Sequence, residues 1–422
     1  MSHLRAGLAS AVCLLAFPAL ASAQPTDEDE TGGGTVHESD EVIGPDGTEP
    51  APPDETPPPD DATPAAPIAP GGNAGYDKGF FIKSDDGKFA LKIKSRVQPY
   101  LAMARSKTPA ADWTGAFEVR RARLILEGNL HGDDLRYKIQ SDFGKGNPSL
   151  KDWYADARLS GSTWVRAGQW KRPFSRQQIT SSGKLELADR AITDKGFGAG
   201  RDIGIALHNG YEDSPAIEWI VGVWNGTGDA AGFDVDLTDP ADPAISVTNV
   251  PREFKPAFVG RVGLNSEGIK GYSEADLEGG PLRWAAAASF WGEGDFDRDD
   301  ASSDKVELDF IVKAQGFTGS GAVYAMTRQA GTHVLSDQEL AYIGFHLQTG
   351  YMIKPTWQGV ARFAMIDGRV DGLRDTKELT AGASYYGWGH DAKIQGDVTL
   401  LKVDDGKFTD AIRFQLGANI GF

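Results

Sequence analysis

The chain has 422 residues, 43 Lys and Arg against 60 Asp and Glu, a formal net charge of -17, one Cys and a mean hydropathy of -0.36. Charge of this sign lacks the basic footprint of a nucleic-acid binder, and a single Cys excludes a disulfide scaffold or a Cys-based structural zinc site. The one long apolar run, Ala11 to Ala21, excludes a bundle of membrane helices, each of which needs about 20 apolar residues.

Residues 1–23 read as a secretory signal. His3 and Arg5 form a polar start, Ala11 to Leu20 an apolar stretch too short to span a bilayer, and Ala21-Ser22-Ala23 a cleavage site. The competing reading, a buried helix, fits this flank poorly. Cys13 lies inside the apolar stretch behind Ser10-Ala11-Val12, a poor lipoprotein signal, so the mature chain is expected to carry no Cys. Residues 24–75 hold 13 acidic residues, 11 prolines and no Lys or Arg. Such a segment buries too little apolar surface to offset its ordering entropy, and a disordered acidic leader is expected. It is either a solvated spacer or a tether for something basic. The signal carries +1 and the leader -13, which leaves -5 for residues 76–422.

From Lys88 onward the hydrophobic period is two. Phe89, Leu91, Ile93, Val97, Leu101 and Met103 share one parity, and Lys92, Lys94, Arg96 and Gln98 share the other. Leu135, Tyr137, Ile139 and Phe143 oppose Arg136, Lys138, Gln140 and Asp142. Val306, Leu308, Phe310 and Val312 oppose Lys305, Glu307, Asp309 and Lys313. Ile412, Phe414, Leu416, Ala418, Ile420 and Phe422 oppose Arg413, Gln415 and Asn419. A soluble sandwich alternates too. The strands here are longer than the usual 5–6 residues, and a tilted strand crosses a bilayer in about 9–11. Trp153, Trp164, Trp170, Trp219, Trp224, Trp284, Trp291, Trp357, Tyr385, Tyr386 and Trp388 collect near strand ends, as an interfacial girdle requires.

Sixteen strands are predicted, at 88–104, 116–130, 134–143, 150–159, 163–171, 200–210, 215–224, 253–266, 280–291, 304–316, 319–329, 339–350, 353–366, 376–388, 391–402 and 410–422. The number is even, as in single-chain bacterial barrels. The fold class is therefore all-β, a transmembrane antiparallel barrel over 76–422. Pro99 inside the first strand cannot donate to the ladder and implies a bulge or kink. Gaps at 225–252 and 292–303 are acidic and rich in Gly and Asp, which suits external loops. The gap at 172–199 mixes Phe174, Leu185, Leu187 and Phe197 with five bases, and folding back into the barrel would bury that apolar content.

In these stretches the chain resembles the phosphate-selective porin O and P family. The matching residues are Gly79-Phe80 with Ser84-Asp85-Asp86-Gly87-Lys88-Phe89, Val119-Arg120-Arg121-Ala122-Arg123-Leu124 with Glu127-Gly128, Asp142-Phe143-Gly144, Lys151-Asp152-Trp153-Tyr154-Ala155-Asp156, Gly168-Gln169-Trp170-Lys171-Arg172-Pro173-Phe174, Gly200-Arg201-Asp202-Ile203-Gly204 and Val223-Trp224-Asn225-Gly226. Order and spacing agree over about 80–226; beyond that the likeness lies in strand pattern and the terminal Phe422. The resemblance implies an outer-membrane porin, a homotrimer among outer-membrane lipid and lipopolysaccharide, with a third loop folded inward as an eyelet. Small anions such as phosphate or polyphosphate are the implied cargo, and no cofactor is implied. The leader would lie in the periplasm.

A charge on the lipid face costs about 2–4 kcal/mol at the midplane, so the charged parity should face the lumen. The basic ladder is then Lys92, Lys94, Arg96, Arg121, Arg123, Arg136 and Lys138, with Arg172, Arg176, Lys184, Arg190 and Arg201 at the eyelet. Further inward bases are expected at Arg158, Lys255, Arg261, Arg283, Lys305 and Lys313, and at Arg362, Lys393 and Arg413. Arg120 has the outward parity and is not assigned to the lumen. Bases at every second residue are spaced by about 6.6–6.8 Å, so an anion can pass between neighbours. Alternatively, these bases only pair with Glu127, Asp142, Asp152, Asp156, Glu307, Asp309 and Asp397 and fill a polar interior. A non-conducting barrel acting as an adhesin or structural protein, or a porin without anion preference, are the competing functions. No H-E-x-x-H, Walker A or G-x-S-x-G motif supports an enzyme.

Overall fold

Period-two alternation over long segments leaves each strand with one apolar and one polar face, and only a closed sheet lets both be used without an exposed edge. The computed structural model describes residues 73–422 apart from 107–111, 147, 199, 227, 229–231, 237–243, 249–255, 294–300, 303, 331–338, 370–373, 405 and 409–410. The signal and all of the leader up to residue 72 lie outside the described residues, as does Lys255.

Sixteen antiparallel strands form the barrel. They are β1 (Ala90–Ser106), β2 (Trp113–Leu130), β3 (Leu135–Asp142), β4 (Ser149–Ser160), β5 (Thr163–Lys171), β6 (Arg201–His208), β7 (Ile217–Trp224) and β8 (Ala257–Asn265). The second half comprises β9 (Arg283–Glu293), β10 (Lys305–Ala314), β11 (Phe317–Ala330), β12 (Glu339–Lys354), β13 (Trp357–Gly368), β14 (Thr376–Trp388), β15 (Ala392–Val403) and β16 (Ala411–Gly421). Each pairs with the next, and β16 closes on β1 from Ala411 against Ser106 to Gly421 against Arg96. All sixteen strands correspond to the predicted ones.

The C-terminal Phe422 lies at the barrel end that carries the short turns. Phe422 exchanges two backbone hydrogen bonds with Ser95, each 3.1 Å. A hairpin of Ala74–Tyr76 and Phe80–Lys83 pairs with Ala90 to Ile93 of β1, covering the edge that β16 leaves open. The hairpin begins inside the stretch expected to be leader. The opposite end carries the longer loops, including a β-hairpin of Gly232–Asp236 and Ala244–Thr248.

Alternation sorts the side chains as expected. Val306, Leu308 and Phe310 are exposed on the outside of β10, whereas Glu307, Asp309 and Lys313 are buried inside. The girdle prediction needs correction. Trp153, Trp284, Trp357, Tyr385 and Trp388 are exposed outside, but Trp164, Trp170, Trp224, Trp291 and Tyr386 are buried in the lumen. Trp164 shares the parity of Arg166, which the lipid would not accept, so the inward position was dictated by its neighbour.

One bulge matters for the site. Gln98 pairs with Arg121 and Pro99 with Val119, so Arg120 is the extra residue of β2. Adjacent residues of a bulge oppose one residue of the partner strand. Outward parity therefore changes from odd, at Phe117 and Val119, to even, at Leu124. Arg120 comes inward: it lies 4.9 Å over the Tyr100 ring and 2.9 Å from Asp189. Its expected outward parity was wrong because strict alternation was carried through the bulge that Pro99 had signalled.

Candidate functional site

Loop 172–200, between β5 and β6, folds into the lumen as its apolar content predicted. Phe174, Leu185, Leu187 and Phe197 are all buried, and Phe197 stacks on Tyr324 with ring centroids 5.0 Å apart. A buried loop must find partners for its backbone N–H groups. Carboxylates supply them. Glu307 accepts from Ser175 N (2.7 Å), Asp397 from Ala188 N (2.9 Å) and Glu378 from Ile192 N (2.9 Å). Inward-facing glycines make the room. A Cβ at Gly344 would sit 2.5 Å from the Phe197 ring, and one at Gly350 would sit 2.5 Å from Oε1 of Glu186.

A second segment also enters the lumen, and the sequence reading did not anticipate it. Residues 266–282 join β8 to β9 at the short-turn end, where Gln315-Gly316 and Pro355-Thr356 suffice elsewhere. Ile269, Tyr272, Glu274, Ala275 and Asp276 are buried. The Lys313 ammonium donates to the carbonyls of Lys270 (3.3 Å) and Ala275 (3.1 Å), and Gly316 N donates to Asp276 (2.8 Å). Tyr272 donates to Glu218 at 2.6 Å. The length of the gap between the predicted strands 253–266 and 280–291 was the available signal.

Both segments pack on β8–β15. There Lys313, Gln348, Gln358, Arg362, Glu378 and Thr399 are nearly inaccessible. On β1–β4 the lysines of the ladder keep contact with water: the side chains of Lys92, Lys94 and Lys138 are 27, 29 and 27% exposed, whereas Arg123 is buried. Lys92 pairs with Asp77 at 3.2 Å, Lys94 with Glu127, and Lys138 with Asp152 at 3.4 Å. Arg96 donates to Ser181 Oγ (2.7 Å), Arg121 to Gln98 Oε1 (2.8 Å) and Arg123 to Asp142 (2.7 Å). Arg136 and Arg158 stack on Trp164 at 4.4 and 4.3 Å.

The five residues assigned to the eyelet separate in space. Arg201 joins the ladder, with Nε 2.7 Å from Asp152. Arg190 spans the loop itself, donating to the carbonyls of Gln177 (2.7 Å) and Thr180 (2.9 Å). Lys184 is exposed. Arg172 bonds Asp202 (3.2 Å) and stacks on Trp291 (4.0 Å). Arg176 reaches the far wall, donating to Asp309 (2.6 Å) and to the carbonyl of Gly271 (3.0 Å). Arg172 and Arg176 are thus loop anchors in position. Two other residues join the site: Lys171, which donates to the carbonyls of Ile179 (2.9 Å) and Thr180 (3.0 Å), and Asp189. Asp189 on the loop meets Arg120 (2.9 Å), Arg413 (3.1 Å) and Lys195 (3.6 Å). Burial alone would raise its carboxyl, but Lys195, Arg120 and Arg413 hold it well below the usual carboxylate range.

The result is a lumen with one filled side and one wet, basic side. Arg96 lies within Coulombic reach of Arg121, Arg123 and Arg201, and Asp142 and Asp152 each engage one guanidinium of this group.

Residues 92–237 match the model of a family described as phosphate-selective porin O and P. A curated protein of Aquifex aeolicus (strain VF5), described as uncharacterized, is 24% identical over 352 residues, covering 75% of this chain and 83% of that one. Among solved structures, the outer membrane channel DcaP of Acinetobacter baumannii is 13% identical, covers 81% of this chain and 99% of its own, and superposes with a TM-score of 0.53. The anion-selective porin from Comamonas acidovorans is 13% identical (79% and 99% covered, TM-score 0.52), and OmpT of Vibrio cholerae 11% (81% and 100%, TM-score 0.52).

Proposed function

We propose that this chain, a porin-type outer-membrane β-barrel matched by the phosphate-selective porin O and P family, passes small anions by diffusion along the wet side of its lumen. The observation that carries the reading is the crowding of Arg96, Arg121, Arg123 and Arg201 beside the water-reached Lys92, Lys94 and Lys138. A ladder with a repeat of about 6.6–6.8 Å offers successive weak contacts in place of one deep site. Such contacts favour entry and still permit release. Phosphate and polyphosphate suit the guanidinium geometry, as do sulfate and carboxylates.

The barrel functions in the Gram-negative outer membrane, in contact with lipid and lipopolysaccharide, as a homotrimer and without enzymatic activity. The short-turn end faces the periplasm, and with it the hairpin at Ala74–Lys83 and the leader before it.

Reversal potentials across planar bilayers in a salt gradient test the proposal. Anion preference is the expected result, and phosphate should reduce chloride current. Cation preference overturns it. The two segments inside the lumen favour a specific second reading, a barrel that does not conduct, and the absence of conductance steps from reconstituted protein would establish that reading.

A further inference from the structure

The third loop and segment 266–282 come from opposite ends of the barrel and meet inside it. Their contact is acidic. Glu186 N donates to Glu274 Oε2 at 2.7 Å, and Glu274 N donates to the carbonyl of Lys184 at 3.1 Å. One amide nitrogen, Nε2 of Gln348, reaches both carboxylates, at 2.8 Å from Glu186 Oε2 and 3.0 Å from Glu274 Oε2. Glu186 is 1% exposed and Glu274 5%. Two carboxylates this close and this dry cannot both be ionised cheaply.

The surrounding groups do not remove the conflict. Gln358 of β13 donates to Glu186 Oε1, and Gln177 of the loop donates to Glu274 Oε1 at 3.2 Å. Tyr386 of β14 donates to Gln358. Arg362 of β13 donates to Gln348 Oε1 at 3.3 Å, beyond the two carboxylates. Two lysines approach, from β10 and β15. Lys313 is committed to the carbonyls of Lys270 and Ala275, and Lys393 to the carbonyl of Leu185. Neither ammonium forms an ion pair with either carboxylate, and the Lys313 charge only partly offsets the rise that burial and Glu274 impose on Glu186.

We propose that the Glu186–Glu274 contact is a proton-dependent latch between the third loop and segment 266–282, closed when Glu186 is protonated and released when it ionises. The latch sets how much of the lumen segment 266–282 obstructs. Burial, and then the charge of Glu274, push the Glu186 carboxyl up to about 7 from an ordinary 4.5. A group whose value is raised in the closed state favours that state most fully below its ordinary value. The advantage is then lost as pH rises to about 7. The latch is thus closed near pH 5 and loosened by pH 8.

Segment accessibility reads this directly and does not depend on which ions the pore prefers. Cys13, the one Cys of the chain, lies in the expected signal, so Ala275→Cys gives a single reporter at a buried position. Its labelling by a water-soluble maleimide is compared, at each pH, with the same reporter combined with Glu186→Gln. The common background cancels the thiol's own titration. The ratio should be near one at pH 5 and rise about tenfold or more by pH 8, the size that a shift from 4.5 to about 7 allows. A ratio that stays near one across this range overturns the latch. If Glu186→Gln fails to give a folded, heat-modifiable barrel, Glu274→Gln serves as the reference. It should likewise keep the segment protected at pH 8, and labelling as fast as in the parent overturns the proposal.

Discussion

The two sides of the lumen are built from the same alternating code and end in opposite states. On β8–β15 the inward charges are consumed. Glu307, Glu378 and Asp397 hold loop N–H groups, Asp309 holds Arg176 and Arg261, and Arg362 pairs with Glu378. On β1–β4 the inward bases meet carboxylates too, but Lys92, Lys94 and Lys138 keep about a quarter of their side-chain surface in water. The difference lies in what packs against each wall rather than in the strands themselves. Inward-facing glycines at 344, 350 and 382 let the loop press onto the far side. A lumen charge is therefore committed to structure where a segment covers it and stays open to water where none does.

The contrast predicts unequal costs. Arg362 and Glu378 are both almost completely buried, and Glu378 also accepts from Ile192 N and Thr380 Oγ1. Removing one partner leaves a buried charge, so Arg362→Ala should cost about 3–5 kcal/mol. Loop 172–200 should loosen with it. A lower denaturation midpoint of the folded band on gels, with larger and noisier single-channel currents, is the expected outcome. An unchanged midpoint would mean that the far wall is not what holds the loop.

Next in size is the effect on selectivity. Arg96→Gln with Arg121→Gln removes two of the clustered guanidinium groups while sparing the anchors of the loop on the far wall. The anion-to-cation permeability ratio should fall several-fold, and the fall should shrink at high salt, where a Debye length of about 3 Å at 1 M screens the remaining bases. Arg176→Gln, although also a lumen arginine, should alter conductance through the loop and leave the ratio closer to the parent's. A larger loss of selectivity from Arg176 than from the pair would reverse the roles assigned to the two walls.

A smaller effect tests the glycine cradle. Gly344→Ala places a Cβ within 2.5 Å of the Phe197 ring, which is already stacked on Tyr324. Overpacking of this kind costs about 1–3 kcal/mol. The thermal transition should fall, and loop 172–200 should become more open to protease. By contrast, a Cβ at Gly359 would meet its nearest neighbour, Ile353 Cδ1, at 3.6 Å, and Gly359→Ala should be tolerated.

Much of this is legible in the sequence. The sixteen strands, the inward third loop and the facing of Lys92, Lys94 and Arg96 follow from period two and from the apolar content of 172–199. Three features were not. Arg120 was misplaced because a bulge resets parity, and a bulge depends on pairing with a second strand that one strand's pattern does not contain. The four buried tryptophans were read by residue type, which favours an interface, although their parity placed them with charged neighbours. Segment 266–282 was passed over because its few large apolar residues, Ile269, Tyr272, Leu277 and Leu282, do not announce burial; it is held by polar bonds to Lys313, Glu218 and His390. Polar burial leaves little trace in hydropathy. It becomes visible only when the partners, distant in sequence, are brought together.

The smallest expected effect is the sharpest control on the comparison. Lys92 and Asp77 are 3.2 Å apart, with Asp77 72% exposed. An exposed pair contributes about 0–1 kcal/mol, because water solvates both charges once they part. Asp77→Asn should therefore leave the denaturation midpoint almost unchanged while freeing Lys92 at the short-turn mouth, with a slight gain in anion preference. If Asp77→Asn instead cost as much as Arg362→Ala, the near wall would also be a structural network. The wet bases would then have no charge to spare for a passing anion.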